Sequence, residues 1–169
     1  IGRIRGVARP AIATLLPAPG TTPTVLLDAG ANSECNPEWL VQFGRMGAVF
    51  ARDRLGVEEP RIALLSIGEE PGKGNPFVKK AHGRLTEAQF EGARFIGNVE
   101  GRDLLTDAAD VVVTDGFTGN VALKTLEGGL KTLMTSLLTA MSARQEAAEA
   151  ARVLGPELDG LYQQFHPDT

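Results

Sequence analysis

Short apolar runs closed by glycine alternate along this chain with longer segments whose apolar residues return every three or four positions. The first run, TVLLDAG (24–30), is continuously apolar before Asp28 and Gly30, the pattern of a strand covered on both faces. In 36–56, Trp39, Leu40, Phe43, Met46, Val49 and Phe50 fall at helical spacing and predict one buried helix face. Asn36 suits the N-cap, Pro37 the first helical position, Glu38 the positive helix start and Gly56 the stop. RIALLSIG (61–68) predicts a second buried strand. Segment 69–90 then repeats the logic, with a Gly/Pro loop, Asn75 as cap and Pro76 as first helical residue. ARFIGN (93–98) reads as a shorter strand and ADVVVTDG (109–116) as a fourth. A long helical stretch follows over 121–155. Gly128 and Gly129 weaken its middle by up to about 1 kcal/mol each and predict a kink or a close helix contact.

Strands alternating with helices imply crossover connections and a mostly parallel sheet. The predicted fold class is α/β, a three-layer sandwich, with one domain over 1–169 and 121–155 as its long helical segment. No repeat or low-complexity segment interrupts it. With 43% hydrophobic and 22% charged residues among 169, the composition is that of a soluble globular protein with a sizeable core. A net charge of −4 argues against a nucleic-acid partner. Cys35 is the one cysteine, so no internal disulfide forms and a reducing compartment, the cytoplasm, is expected. No apolar run approaches the roughly 20 residues that span a bilayer, and no signal-peptide pattern is seen. The chain opens on IGRIRGVARP without a methionine, which suggests a piece of a longer protein.

Four predicted strand exits share one palette of glycine, asparagine, acid and base: Asp28 to Asn32, Gly68 to Asn75, Gly97 to Asp103, and Asp115 to Asn120. In a parallel sheet these exits emerge at one edge, where open α/β sheets bind their ligands. Glycine lets a backbone approach a ligand, and amides at helix starts attract anions. Lys73, Arg102 and Lys124 suit phosphate, and asparagine side chains suit a developing oxyanion. Each residue also has a plain structural reading. Lys73 and Arg102 can be solvated surface charges, Asp28 and Asp115 turn caps, and Asn75 a helix cap. DGFTGN (115–120) on its own reads as a strand-to-helix turn more readily than as a ligand site.

Several familiar chemistries lack their signatures. GEEPGKGN (68–75) has three residues between its glycines where a nucleotide-phosphate loop has four, and Gly74 where that loop has Ser or Thr. No G-x-G-x-x-G and no G-x-S-x-G occurs. His82 falls inside a predicted helix and His166 in a tail, so neither suggests a general base. Two histidines and Cys35 are too scattered for zinc, and no metal site is expected.

RPAIATLLP (9–17), LLDAGAN (26–32), QFGRMG (42–47), LLSIGEEPGKGN (64–75), FIGNVEGRD (95–103) and DVVVTDGFTGNVALKTLEG (110–128) together resemble the bacterial phosphate acyltransferase family of phospholipid synthesis. The resemblance runs in order from about residue 1 to residue 130 and more loosely beyond. It implies a fold like that of phosphotransacetylases and isocitrate/isopropylmalate dehydrogenases. The implied reaction makes acyl phosphate from acyl-acyl carrier protein and inorganic phosphate, without metal, nucleotide or other cofactor. It further implies a homodimer and peripheral contact with the inner face of the membrane. A glycerol-3-phosphate acyltransferase would act downstream. The family's N-terminal glycine-rich loop and C-terminal YGGAPLLG-like block are expected outside this chain.

Under that resemblance the residues take provisional roles. Lys73 and Arg102 would hold phosphate or the carrier's phosphopantetheine, with Asn98 and Asn120 as polar donors. Asp115 would orient a cation or accept a proton. Asp28 and Asn32 would shape the pocket floor, and Gly72, Gly74, Asn75, Glu100, Gly116, Thr118, Gly119 and Lys124 would complete the substrate contacts. The stripe Leu126, Leu130, Leu133, Met134, Leu137, Leu138 and Met141 either packs inside one subunit or builds the dimer. Few basic residues lie between Lys131 and Arg144, so lipid contact there would rest on apolar insertion. Docking of an acidic carrier protein calls for a basic patch, to which Arg3, Arg5 and Arg9 are candidates. Two alternatives stay open: acyl transfer between coenzyme A and phosphate, and a non-catalytic α/β scaffold.

Overall fold

Each continuous apolar run becomes a strand with both faces covered. Val25, Leu26 and Leu27 are buried, as are Ile62, Ala63 and Leu64, and Val111, Val112 and Val113. A computed structural model describes residues 6–143, 148–149, 151–156 and 160. Its strands are β1 (Ala13–Leu16), β2 (Thr24–Leu27), β3 (Arg61–Leu65), β4 (Arg94–Val99) and β5 (Val111–Val113). They form one sheet in the order β1-β2-β5-β3-β4. The central pairs β2–β5, β5–β3 and β3–β4 are parallel. The expected α/β class with a mostly parallel sheet is therefore observed.

The hydrophobic pattern does not mark strand β1. It pairs antiparallel with β2, Ala13 opposite Leu27. Only four residues long and half open to solvent at the sheet border, it carries no periodicity that a sequence reading can use.

Helices α1 (Pro37–Leu55) and α2 (Pro76–Glu87) start where their caps predict. Asn36 Oδ1 accepts from Glu38 N at 3.1 Å and Asn75 Oδ1 from Val78 N at 2.9 Å. Gly56 ends α1 at φ 72°, a left-handed stop that glycine takes without strain. The crossovers β2-α1-β3 and β3-α2-β4 step the same way across the sheet. Leu40, Phe43, Ala48 and Ala51 of α1, with Ala81 and Leu85 of α2, pack on Val25, Leu27, Ile62, Leu64, Val111 and Val113. The return from β4 to β5 passes through a 3-10 turn over Gly101–Leu105, anchored by buried Leu104. It steps the opposite way, so the right-handed crossover rule assigns it to the opposite face.

Opposite ends of the strands are fixed differently. At the amino-terminal edge Arg61 clamps β3 to β5: its N and Nε donate to Asp110 Oδ2 at 2.7 and 2.9 Å, and its Nη2 to Oδ1 at 3.0 Å. Burial pushes the Asp110 carboxyl up, but the Arg61 bonds and charge outweigh it and hold the group below the ordinary carboxylate value. Near the start of β4 an extra residue, Ile96, enters the ladder, since Ile62 pairs with Phe95 and Ala63 with Gly97. Gly97 takes φ 108° to form this bulge, and beyond it both Asn98 and Val99 are buried.

The chain divides into two compact units, Ile1–Val121 with the sheet and Ala122–Thr169. Helix α3 spans Gly116–Ser142, beginning five residues before the expected start at 121. Helix recurs at 148–149 and 151–156; residues 144–147 and His166 lie outside the described residues, as do Arg3 and Arg5. The helix runs unbroken through Gly128 and Gly129, where an added Cβ would meet nothing within 4 Å. The close helix contact expected there is thus not made among the described residues. Of the predicted stripe, Leu133, Leu137 and Leu138 are exposed, and Leu126, Leu130, Met134 and Met141 are half-buried. Packing among the described residues does not bury it. Among the described residues no helix is long and apolar enough to cross a membrane.

Candidate functional site

Four parallel strands deliver their exits to one edge of the first unit, in the spatial order Asp28, Asp115, Ser66 and Glu100. Sequence-predicted residues gather there in two groups, one at β2 and β5, the other at β3 and β4.

In the first group Asp28 is the organising residue. Its carboxylate is fully buried and accepts from five donors: the backbone N of Ile12, Gly30, Ala31 and Asn32, at 2.7 to 3.1 Å, and Asn32 Nδ2 at 2.8 Å. Burial alone would raise its pKa; the bonds from Ala31, Ile12, Asn32 and Gly30 more than reverse that and leave it lowered. The Leu27–Asp28 peptide is cis. Asn32 also donates to Pro10 O at 2.8 Å, so both residues fix the β2 exit from within.

Helix α3 starts against this loop. Asp115 caps it, accepting from Thr118 N and Thr118 Oγ1, each at 2.8 Å. Gly116 N donates to Asn32 O at 2.8 Å, and a Cβ on Gly116 would stand 2.6 Å from that oxygen. A Cβ on Gly119 would collide with the Asp28 carbonyl oxygen. These two glycines, the buried residues of α3, bring the helix start onto the β2 exit. Asn120, exposed one residue later, packs its side chain beside Gly30. Cys35 lies close by, with Sγ 3.5 Å from Asn32 O. Burial, with the negative Asp28 and Asp115, pushes its thiol up against a hydrogen bond from Gly116, so it is a poor nucleophile.

In the second group the turn Glu70-Pro71-Gly72-Lys73 closes through Lys73 N to Glu70 O at 3.0 Å. Asn98 Nδ2 donates to that same oxygen at 2.9 Å. Asn98 Oδ1 stands 2.9 Å from His82 Nδ1, and the His82 ring meets Phe95 edge-on with centroids 5.3 Å apart. Buried Asn98 thus spans from α2 to the turn that carries Lys73. Gly74 takes φ 97° before the Asn75 cap. Lys73 is half-exposed, 4.0 Å from Glu70, while Arg102 reaches Glu100 at 3.5 Å, Glu69 at 3.7 Å and Asp103 at 3.9 Å. These exposed pairs contribute little to stability and leave both cations free to exchange partners.

Lys124 belongs to the second unit, where it pairs with Glu127 at 2.7 Å. The link from His82 through Asn98 to Glu70 is not legible in the sequence. It joins residues 16 and 28 positions apart, and no local spacing encodes it.

The comparisons agree with this architecture. The family model described as fatty acid synthesis protein matches residues 1–169. A phosphate acyltransferase of Bacillus licheniformis is 48% identical over 158 residues, covering 94% of this chain and 47% of its own length. Another, from Nitratidesulfovibrio vulgaris, is 56% identical over 138 residues, covering 82% and 39%. The chain therefore spans less than half the length of these relatives. Among solved structures, EutD phosphotransacetylase from Staphylococcus aureus superposes with a TM-score of 0.57 at 19% identity, over 75% of this chain and 44% of its own. That likeness extends to the fold. With the family model matching the whole chain and relatives at these identities, the chain belongs to the fatty acid synthesis protein family, alongside the phosphate acyltransferases.

Proposed function

We propose that this chain is the part of a phosphate acyltransferase that moves a fatty acyl group from acyl-acyl carrier protein to inorganic phosphate. The observation that carries the reading is the convergence of Lys73, Arg102, Asn120 and the α3 start at one sheet edge, in a chain related to phosphate acyltransferases. In the reaction a phosphate oxygen attacks the thioester carbonyl carbon, and a tetrahedral oxyanion forms. It collapses by breaking the carbon–sulfur bond, giving acyl phosphate and the carrier thiolate, which takes up a proton from solvent. The thiolate leaves readily near neutral pH, so the demands are positioning and charge stabilisation.

Lys73 and Arg102 attract and orient the phosphate dianion, exchanging their exposed carboxylate partners for it. Asn120 donates to the oxyanion from the first turns of α3, whose positive end adds to the field. Asn98 acts one step back by holding the Lys73 turn through Glu70 O. Asp115 serves by capping α3 rather than by moving a proton.

The test is release of carrier thiol by the full-length protein, with and without phosphate. Phosphate-dependent release from acyl-acyl carrier protein is expected, with kcat about 100-fold lower in Asn120→Ala. Release from acyl-coenzyme A alone would move the reaction to the phosphotransacetylase type, and no release from either would end the enzymatic reading.

The exposed stripe of α3 supports a second part of the proposal, that two copies pair through the Ala122–Thr169 unit. Leu133→Glu together with Leu137→Glu is expected to halve the mass seen by sedimentation; an unchanged mass would place the dimer contact elsewhere.

A further inference from the structure

Among the described residues, Ser66 Oγ is the buried side-chain oxygen that finds no hydrogen-bond partner. Such an orphan is uncommon, because a buried hydroxyl without a partner forfeits its bonds to water and gains nothing in return. Its position makes it more than a packing defect. Ser66 is the first residue after β3, a strand with neighbours on both sides, and its own backbone N is tied to Val99 O at 2.8 Å. The hydroxyl is held against the loop Gly68–Asn75, about 3.3 Å from the point where a Cβ on Gly74 would stand.

Three features mark the loop beside that oxygen. Gly74, at φ 97°, lets the backbone pass close to both Val78 and the hydroxyl: a Cβ there would stand 2.6 Å from Val78 Cγ1 and 3.3 Å from Ser66 Oγ. The α2 start follows directly, with Asn75 as its cap. Lys73 lays its stem over Gly68, where a Cβ would be 2.7 Å from Lys73 Cγ. One short glycine-rich loop thus carries a cation and leads into a helix start, beside a hydroxyl that has no partner. The Asn98 bond to Glu70 O holds one end of that turn, and the Asn75 cap holds the other.

We propose that Ser66 is a phosphate-binding residue, its hydroxyl uncovered when the Gly68–Asn75 loop shifts at its glycines to admit the anion. The unpartnered hydroxyl biases the loop towards that second position, and the anion supplies the acceptor it lacks. Ligand binding then repairs a defect of the free protein, which makes the loop responsive to phosphate specifically through Ser66. This proposal rests on the acyl-transfer reading for its substrate, but it is testable without turnover.

The test uses the full-length protein and two variants, Ser66→Ala and Ser66→Cys, the second keeping the volume with a poor donor. Inorganic phosphate alone is titrated while the thermal midpoint is followed, and KM for phosphate is measured in the thiol-release assay. In both variants the phosphate-free midpoint should be equal to or above that of the wild type, since an orphan has been removed. The rise of the midpoint with phosphate should shrink, and KM for phosphate should increase about tenfold, the equivalent of 1.4 kcal/mol. A structural hydroxyl would give the opposite first result, a lowered phosphate-free midpoint, and that would overturn the proposal. An unchanged KM and an unchanged phosphate-induced rise would overturn it equally, while leaving the acyl-transfer reading intact. If the wild type shows no phosphate-dependent turnover, that reading fails. A phosphate-induced rise in the wild type that is lost in Ser66→Ala would then still support Ser66 as an anion ligand.

Discussion

An Asp28→Ala protein is expected to lose at least about 4 kcal/mol of stability, enough to leave much of it unfolded, since whole domains hold only about 5–15 kcal/mol. The deleted carboxylate is the shared acceptor of four backbone amides and one side-chain amide, all within the β2 exit except Ile12 N, which comes from the segment before β1. Each buried donor left without a partner costs about 1–3 kcal/mol, and partial collapse or entering water recovers some of it. Asp28→Asn separates acceptor chemistry from volume. It keeps the shape but offers one oxygen and places an NH2 against amide donors, so it should be nearly as damaging as alanine. Denaturant midpoints measure both, and a wild-type midpoint for Asp28→Asn would refute the acceptor argument.

The same residue sets a pH dependence. Asp28 and Asp110 both have folded-state pKa values below their unfolded ones. Their contribution is therefore fully present above the unfolded value of about 3.9 and is lost as pH falls through the folded value. Acid titration should show wild-type stability flat above about pH 5 and declining below it. In Asp110→Asn the decline should be shallower, starting from a lower plateau because the Arg61 clamp is broken.

Gly119→Ala should be the most damaging single methyl at the sheet edge. Its Cβ would fall on the Asp28 carbonyl oxygen, which belongs to backbone fixed on all sides, so the first turn of α3 must retreat instead. Thr118 and Asn120 would retreat with it. A displacement of about 1 Å in a positioned group costs on the order of 100-fold in rate, so kcat for thiol release should drop by at least that much. Gly128→Ala is the internal control, because the same methyl meets nothing within 4 Å there and improves helix propensity. Comparable activity of Gly119→Ala and Gly128→Ala would show that the α3 start tolerates movement and does not place Asn120.

The parts of the fold written in local pattern are legible in the amino-acid sequence alone. Continuous apolar runs mark β2, β3 and β5, and the Asn-Pro pairs at 36–37 and 75–76 mark the starts of α1 and α2. What stays hidden depends on partners distant in sequence. Strand β1 exists because β2 offers it an edge, and the start of α3 at Gly116 is tied by Gly116 N to Asn32 O, far away in sequence. The candidate site shows the same division. Glycine and asparagine at the strand exits locate the edge, but chemistry by residue type misjudges how polar atoms are spent there. Asp28 is consumed by its own loop and Asn98 by His82 and Glu70, whereas Ser66, inconspicuous in the sequence, is left with an unused hydrogen.

Asp28 has a consequence for how the molecule meets its medium. The amides of Gly30, Ala31 and Asn32 form a cradle of the kind that elsewhere recruits a dissolved anion, and here the anion is attached to the chain. A loop with a built-in counterion keeps its shape in dilute or concentrated salt, and in phosphate-poor or phosphate-rich solution. Half of the sheet edge is thus permanent, assembled before any substrate arrives. Sensitivity to what the solution contains is left to the other half, where the acceptor must come from outside.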